Sequence, residues 1–410
     1  MGTPLGGMTV PARRVVVVVL DSAGVGALPD AGRYGDNGVN TLRHVIETTG
    51  CSLPNLEQMG LFNVVFPERR RESGVSIPPG LYGKMASKTA GKDTLAGHWE
   101  LMGVILDRPF PVYPQGFPSG LITSFEKGIG RKVLGNRAAS GTAIIEELGQ
   151  THLATGCPIV YTSADSVFQV AAHKEVILVE ELYRICTIAR GLLTGEHGVA
   201  RVIARPFVGE LGNFQRTSRR DFSLPPPRPT YLEKMRDAGI PLIGVGKISE
   251  IFSGRGIDKT FPTENNADGM KYTLVALDGL KAGFVFVNLI DFDMSYGHRN
   301  DPTGYAEALA VFDDFLPELK SALNRDDVLF ITADHGCDPT MPGTDHTREY
   351  VPVLGWSPAM ECSIELETRE TFADLGKTVA ELLGLFLVGP GCGFTYLIDW
   401  CARGALVDRS

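Results

Sequence analysis

Asp334 and His335 stand side by side just past Val328-Leu329-Phe330-Ile331, after Thr332-Ala333 and with Gly336 behind them. The apolar run is too short for a helix and reads as a strand buried on both faces. The pair therefore sits at a strand's carboxyl end, where open α/β sheets bind their ligands. A carboxylate beside an imidazole suits a divalent metal ion, although three residues alone read equally well as a hydrogen-bonded pair in a loop. The pattern recurs. Asp21 follows the valine run of residues 15–20 at once, and Asp293 follows the run of residues 284–290, with His298 five residues further on. His346 lies eleven residues beyond His335. Asp21 by itself could be a turn or helix cap. Together, three carboxylates and three imidazoles are enough for two ions with three protein ligands each.

A hydroxyl lies in the stretch Ala90-Gly91-Lys92-Asp93-Thr94-Leu95-Ala96-Gly97-His98. The glycines around Thr94 allow a ligand close approach. Its hydroxyl is a poor nucleophile unless a base or a metal activates it. Asp93 or Thr94 also suits the cap of a helix beginning near Leu95, and the two roles are compatible. His98 has no partner at ligand spacing and reads as a residue that supports a ligand rather than being one.

The elements that must position these groups alternate. Strands are expected at 15–20, 241–247, 284–290 and 328–331, and helices at 231–238, 268–280, from Asp301 onward and at 372–383. Strand and helix in alternation predict an α/β fold with a mostly parallel sheet flanked by helices. Pro317 is expected to bend or break the helix that starts at Asp301. Two proline-rich stretches, residues 107–118 and 224–229, bracket about a hundred residues with their own strand and helix signals, enough for a small domain. The reading is a core of residues 1–107 and 227–410, with a smaller α/β cap domain inserted at 108–226. Within the cap, Arg201 on an alternating strand reads as a basic lining suited to anions, and Arg219-Arg220 as solvated surface. Gly24-Val25-Gly26 lacks the spacing of a dinucleotide fingerprint.

Composition narrows the class. The formal charge of −9 argues against a general nucleic-acid binder. Seven scattered cysteines without a C-x-x-C pair suit a reduced, cytoplasmic protein. The start of the chain shows neither a targeting signal nor a myristoylation motif, because Gly stands at position 6, and no run is long enough to span a bilayer.

Six stretches, in order along nearly the whole chain, resemble the prokaryotic phosphopentomutases of the alkaline phosphatase superfamily. They are residues 19–26, 91–100 (through Gly97-His98-Trp99-Glu100), 161–165 (Tyr-Thr-Ser-Ala-Asp), 291–299, 332–336 and 344–349 (Thr-Asp-His-Thr-Arg-Glu). The resemblance implies an alkaline-phosphatase-like core holding two divalent ions, manganese by family habit. One would lie on Asp21, Asp334 and His335, the other on Asp293, His298 and His346. Thr94 aligns with a phosphorylated threonine that touches both. Ala96 stands where many relatives have a second hydroxyl, which leaves Thr94 unopposed. Ser163, Asp165, Arg201, Arg216 and Lys247 align with substrate-contacting positions, and the implied substrates are pentose phosphates. Metal-dependent phosphomonoesterases or phosphodiesterases share such metal ligands, and a phosphoglycerate mutase would carry serine at position 94. A non-catalytic metal-stabilised binding protein is the third class. The oligomeric state is left open.

Overall fold

A computed structural model describes residues 12–68, 78–163 and 165–403. The stretch read for a targeting signal lies outside them up to residue 11, as does Ala164 of the 161–165 stretch. Internal contacts divide the chain into two units: the described residues up to Arg108 together with those from Pro226, and Pro109–Pro225.

Among the described residues fourteen strands follow in chain order. The first unit contributes β1 (Arg14–Leu20) and β2 (Gly80–Met85). The second contributes β3 (Leu134–Ala138), β4 (Ile159–Thr162), β5 (Val167–His173), β6 (Arg201–Val208), β7 (Gln215–Arg216) and β8 (Arg220–Ser223). The first unit resumes with β9 (Leu242–Val245), β10 (Lys259–Phe261), β11 (Gly283–Leu289), β12 (Val328–Thr332), β13 (Val351–Trp356) and β14 (Ser363–Glu365).

The first unit is built on an eight-stranded sheet in the order β10-β9-β11-β1-β12-β13-β2-β14. The strands from β10 to β12 are parallel, β13 runs antiparallel to both its neighbours, and β14 is parallel to β2. The fold is therefore α/β with a mostly parallel sheet. β1 lies in the middle, and every residue of it is buried, as its uninterrupted valines require. Register decides what happens at its end. Leu20 pairs with Leu289 of β11, and Val19 with Thr332 of β12. The three chains consequently leave the sheet along one edge, within two or three residues of Asp21, Asp291 and Asp334.

The expected strand 241–247 stops at Val245. Gly246 takes φ 79°, where a side chain would meet the carbonyl of Asn288, and Lys247 begins a short helix instead. The helix Pro302–Ser321 is not broken at Pro317 but continues past it. Proline removes the amide that would serve the carbonyl of Asp313, four residues back. Asn55 supplies the missing donor, its Nδ2 donating to that carbonyl at 3.1 Å. In return the buried Asp313 carboxylate accepts from the amides of Asn55 (3.0 Å) and Leu56 (2.6 Å), which caps the helix Pro54–Gln58.

In the second unit the sheet runs β3-β4-β5-β6-β7, with β8 also on β6. Alternation along β4 divides its burial. Val160 joins the core under the helices Ser119–Ile129 and Val179–Leu192, whereas Ile159 and Tyr161 pack with Ile144 and Ile145 of the helix Gly141–Thr155. Among the described residues no helix is long and apolar enough to cross a membrane.

Asp313→Ala leaves two helix-start amides without acceptors. It should lower the unfolding free energy by about 2–3 kcal/mol. Denaturant titration with an unchanged m-value checks this, and a loss under 0.5 kcal/mol would refute the capping role.

Candidate metal centre

The sequence-predicted metal ligands are delivered by several local devices on the same sheet edge. Asp21 follows β1 directly, and Ser22 turns the chain away at φ 76° while its amide donates to Asp334 Oδ1 at 3.2 Å. β11 runs into a single π-helical turn, Phe292–Tyr296, which carries Asp293; the next turn, Gly297–Arg299, carries His298. Asp334 and His335 follow β12, and His346 lies on the loop that returns to β13.

All six converge. His335 Nε2 lies 3.4 Å from Asp21 Oδ1 and 3.2 Å from Asp334 Oδ2. Asp293 lies 3.2 Å from His298 Nε2 through Oδ2 and 3.3 Å from His346 Nε2 through Oδ1. The rings of His335 and His346 stack at 3.9 Å and join the two groups. Ligand atoms of Asp21, Asp334 and His335 fall within 4.8 Å of one another, and so do those of Asp293, His335 and His346.

The imidazole protons are committed elsewhere. Nδ1 of His335 meets the carbonyl of Gly336 at 2.9 Å, Nδ1 of His298 that of Thr344 at 2.6 Å, and Nδ1 of His346 that of Lys92 at 2.8 Å. A carbonyl only accepts, so each Nδ1 is the donor, and in the neutral ring each Nε2 presents its lone pair to the centre. His298 Nε2 and His346 Nε2 then face each other at 3.2 Å. Two lone pairs at that distance repel unless a cation lies on them. The carboxylates say the same, for Asp21 Oδ1, Asp293 Oδ1 and Asp334 Oδ2 are buried with no hydrogen-bond donor. With the rings neutral, the nearby imidazole Nε2 atoms turn lone pairs, not protons, toward them. The donor set therefore fits divalent cations.

Electrostatics follow from the crowding. Burial, aided by the neighbouring Asp334 carboxylate, raises the pKa of Asp21. Burial would raise Asp293 too, but His346 and His298 outweigh it and hold it well below the usual range. Asp334 is likewise buried yet lowered, by His335 and His98. Burial disfavours a charged His335, but Asp334 and Asp21 overcome it and raise its pKa well above the ordinary value. A metal ion entering such a site competes with protons.

Thr94 opens the helix Thr94–Leu101, and Asp93 caps it by accepting from the Leu95 amide at 2.8 Å. This places Thr94 Oγ1 2.9 Å from His335 Nε2. His98, one turn on, is fully buried; its Nδ1 donates to the Thr94 carbonyl at 2.9 Å and lies 3.1 Å from Asp334 Oδ2. The helix comes this close because residue 97 is glycine, where a Cβ would collide with the carbonyl of Asp334.

Sequence reasoning missed Asn288, whose Nδ2 donates to Asp21 Oδ2 at 2.8 Å. A single amide inside the apolar run of β11 was its signal. It also missed Cys337, which forms a possible ligand group with Asp293 and His298. The thiol faces His298 Nδ1 at 4.0 Å, the side already given to Thr344, so it stands behind the ligand rather than beside it.

The predicted substrate contacts are scattered by comparison. Lys247 is half-buried after β9 in the first unit. Ser163, Asp165 and Arg201 gather at one end of the second unit's sheet: Ser163 Oγ is 3.4 Å from Asp165 Oδ2, and the Arg201 amide donates to the Ser166 carbonyl at 3.3 Å. The backbone of Arg216 pairs with Phe207 at the other end of β6, roughly 20 Å along the strand. Arg219, expected to be solvated, is half-buried and paired with Asp221 at 3.2 Å. Arg220 is exposed and lies over the rings of Tyr183 and Phe222.

A model of the metalloenzyme superfamily matches residues 13–386, so fold and site together define a metalloenzyme. The chain is 58% identical over 379 residues to the phosphopentomutase of Caldanaerobacter subterraneus subsp. tengcongensis, covering 92% of this chain and 95% of that one. Against the phosphopentomutase of Carboxydothermus hydrogenoformans it is 55% identical over 386 residues, covering 94% and 98%. With that of Thermotoga maritima the identity is 52% over 390 residues, covering 94% and 99%. The chain belongs to the phosphopentomutase family.

Gly97→Ala pushes the Thr94 helix off the Asp334 backbone. It should weaken divalent metal binding by about 10–100-fold in a competition titration with a chromophoric chelator. Affinity equal to the parent protein would show that this close approach does not shape the site.

Proposed function

We propose that the chain is a phosphopentomutase, an isomerase that interconverts ribose 1-phosphate and ribose 5-phosphate, and the 2-deoxyribose phosphates, through a phosphothreonine at Thr94. The observation that carries the reading is the Thr94 hydroxyl, 2.9 Å from His335 Nε2 and so within the six-residue cluster. In this reading Asp21, Asp334 and His335 hold one divalent ion and Asp293, His298 and His346 a second, with manganese the expected metal. When bound, the ions supply positive charge to the transferring phosphoryl group and acidify the hydroxyl.

The chain's own residues do the rest. Thr94 sits at a helix start, where free amides and the helix dipole favour a phosphate. Phosphorylated Thr94 gives its phosphoryl group to the free hydroxyl of the pentose phosphate, which becomes a bisphosphate. After the sugar turns over, its other phosphate returns to Thr94 and the isomer leaves. Ala96 offers no second hydroxyl to intercept the group. Ser163, Asp165, Arg201, Arg216 and Lys247 belong to the same proposal as sugar-phosphate contacts, cationic side chains being suited to phosphate. The cysteine pattern supports a reducing, cytoplasmic setting.

Thr94→Ala should abolish isomerisation while leaving metal content intact; elemental analysis and a ribose 1-phosphate assay check both, and retained turnover removes Thr94 as carrier. The parent protein supplied with manganese should release ribose 5-phosphate, and a chelator should stop it. Free phosphate as the main product would instead identify a hydrolase.

A further inference from the structure

The loop that leads into Thr94, residues 87–92, belongs to no strand or helix. Its backbone groups still need partners. Two buried charges of opposite sign supply most of them. Glu100, fully buried, accepts from the amides of Lys88 and Thr89 at 2.8 Å each and from the Ser87 hydroxyl at 2.7 Å. Arg348, 5% exposed, serves the carbonyls. Its Nη1 donates to Thr89 at 2.8 Å and Gly91 at 2.7 Å, and its Nη2 donates to Ser87 at 3.2 Å.

The guanidinium is itself fixed. Asp30 takes it as a fork, Nε to Oδ1 at 3.1 Å and Nη2 to Oδ2 at 3.2 Å. The ring of Tyr34 lies under it at 5.3 Å, and the Tyr34 hydroxyl accepts from the Gly91 amide at 3.1 Å. Arg348 is two residues beyond His346, whose own Nδ1 holds the Lys92 carbonyl. Residues 346 and 348 thus grip the loop at Thr89, Gly91 and Lys92, just short of the Thr94 hydroxyl.

We propose that Arg348 is a positioning residue for phosphoryl transfer: by holding the loop's carbonyls it sets where the Thr94 hydroxyl stands relative to His346, without touching substrate. The inference rests on the reading of Thr94 as phosphoryl carrier. A lysine at 348 keeps the charge, but one ammonium cannot serve the Asp30 fork and three carbonyls together.

The test compares the full-length parent protein with Arg348→Lys, Arg348→Ala and Thr94→Ala, all with manganese. Turnover of ribose 5-phosphate, metal content and backbone hydrogen exchange are measured. In Arg348→Lys, kcat should fall on the order of 100-fold with KM and metal content nearly unchanged, as misplacement by about 1 Å would produce. Exchange should quicken in the segment 86–97 and not elsewhere. A kcat close to that of the parent protein overturns the proposal. So does a fall that only tracks faster exchange throughout the molecule, which marks a general stabiliser. Should Arg348→Ala fail to fold, the lysine variant decides alone. Full turnover in Thr94→Ala overturns the carrier reading and this inference with it, whereas an inert Thr94→Ala beside a fully active Arg348→Lys overturns this inference only.

Discussion

Three carboxylates held out of water at one sheet edge are the constraint the first unit is built around. Asp21 and Asp334 are 4% and 2% exposed, and each has an oxygen with no hydrogen-bond donor. Like charges taken out of water together are strongly unfavourable unless positive charge answers them. Parallel pairing of β11, β1 and β12 forces this proximity, because their register brings the three strand ends level. The same geometry recruits imidazoles from beyond β11 and β12. Without the cluster, polar groups at these positions would be a fault in an otherwise apolar core.

Backbone carbonyls then do what a second layer of side chains does in other sites. Gly336, Thr344 and Lys92 each take one imidazole proton and orient the ring. A carbonyl in a fixed loop has fewer ways to move than a side chain, so ring orientation is inherited from the path of the chain. This explains the demand for small residues nearby. Gly24 and Gly336 lie so close to Glu349 that a Cβ on either would collide with it. The Glu349 carboxylate meanwhile accepts from the Gly26 and Thr41 amides at 3.0 Å each.

What could be read from the sequence was whatever depends on strand ends. Val15 to Leu20 and Val328 to Ile331 announce buried strands by composition, and the residue after each is placed as soon as the strand is. That the helix Pro302–Ser321 is not broken at Pro317 could not be read, because the compensating donor, Asn55, lies more than two hundred positions away. Asn288 and Cys337 went unnoticed for the same reason, and Gly97 reads in the sequence as room for a ligand rather than for the Asp334 backbone: each matters through a neighbour that only the folded chain supplies. Arg201 and Arg216 look alike as basic residues near β6, yet the strand separates their backbones by nearly its whole length. Charge type is written in the sequence; distance along a folded strand is not.

The loop before Thr94 completes the physical picture. Its amides go to Glu100 and its carbonyls to Arg348, and these two charges are not each other's partners: Glu100 also takes the hydroxyl of Thr371 at 2.6 Å, whereas Arg348 is answered by Asp30. Hydrogen bonds to buried charges contribute about 1.5–3 kcal/mol each, more than neutral ones. A loop held this way keeps its shape through contacts that do not involve the carboxylates Asp21, Asp293 and Asp334. The hydroxyl is therefore placed before any cation or phosphate arrives. Groups aimed in advance at developing charge need no reorganisation during the reaction, and that is the most effective use of a rigid site. Sheet register gathers the negative charge, and the contacts of the loop hold the Thr94 hydroxyl beside it, 2.9 Å from His335 Nε2.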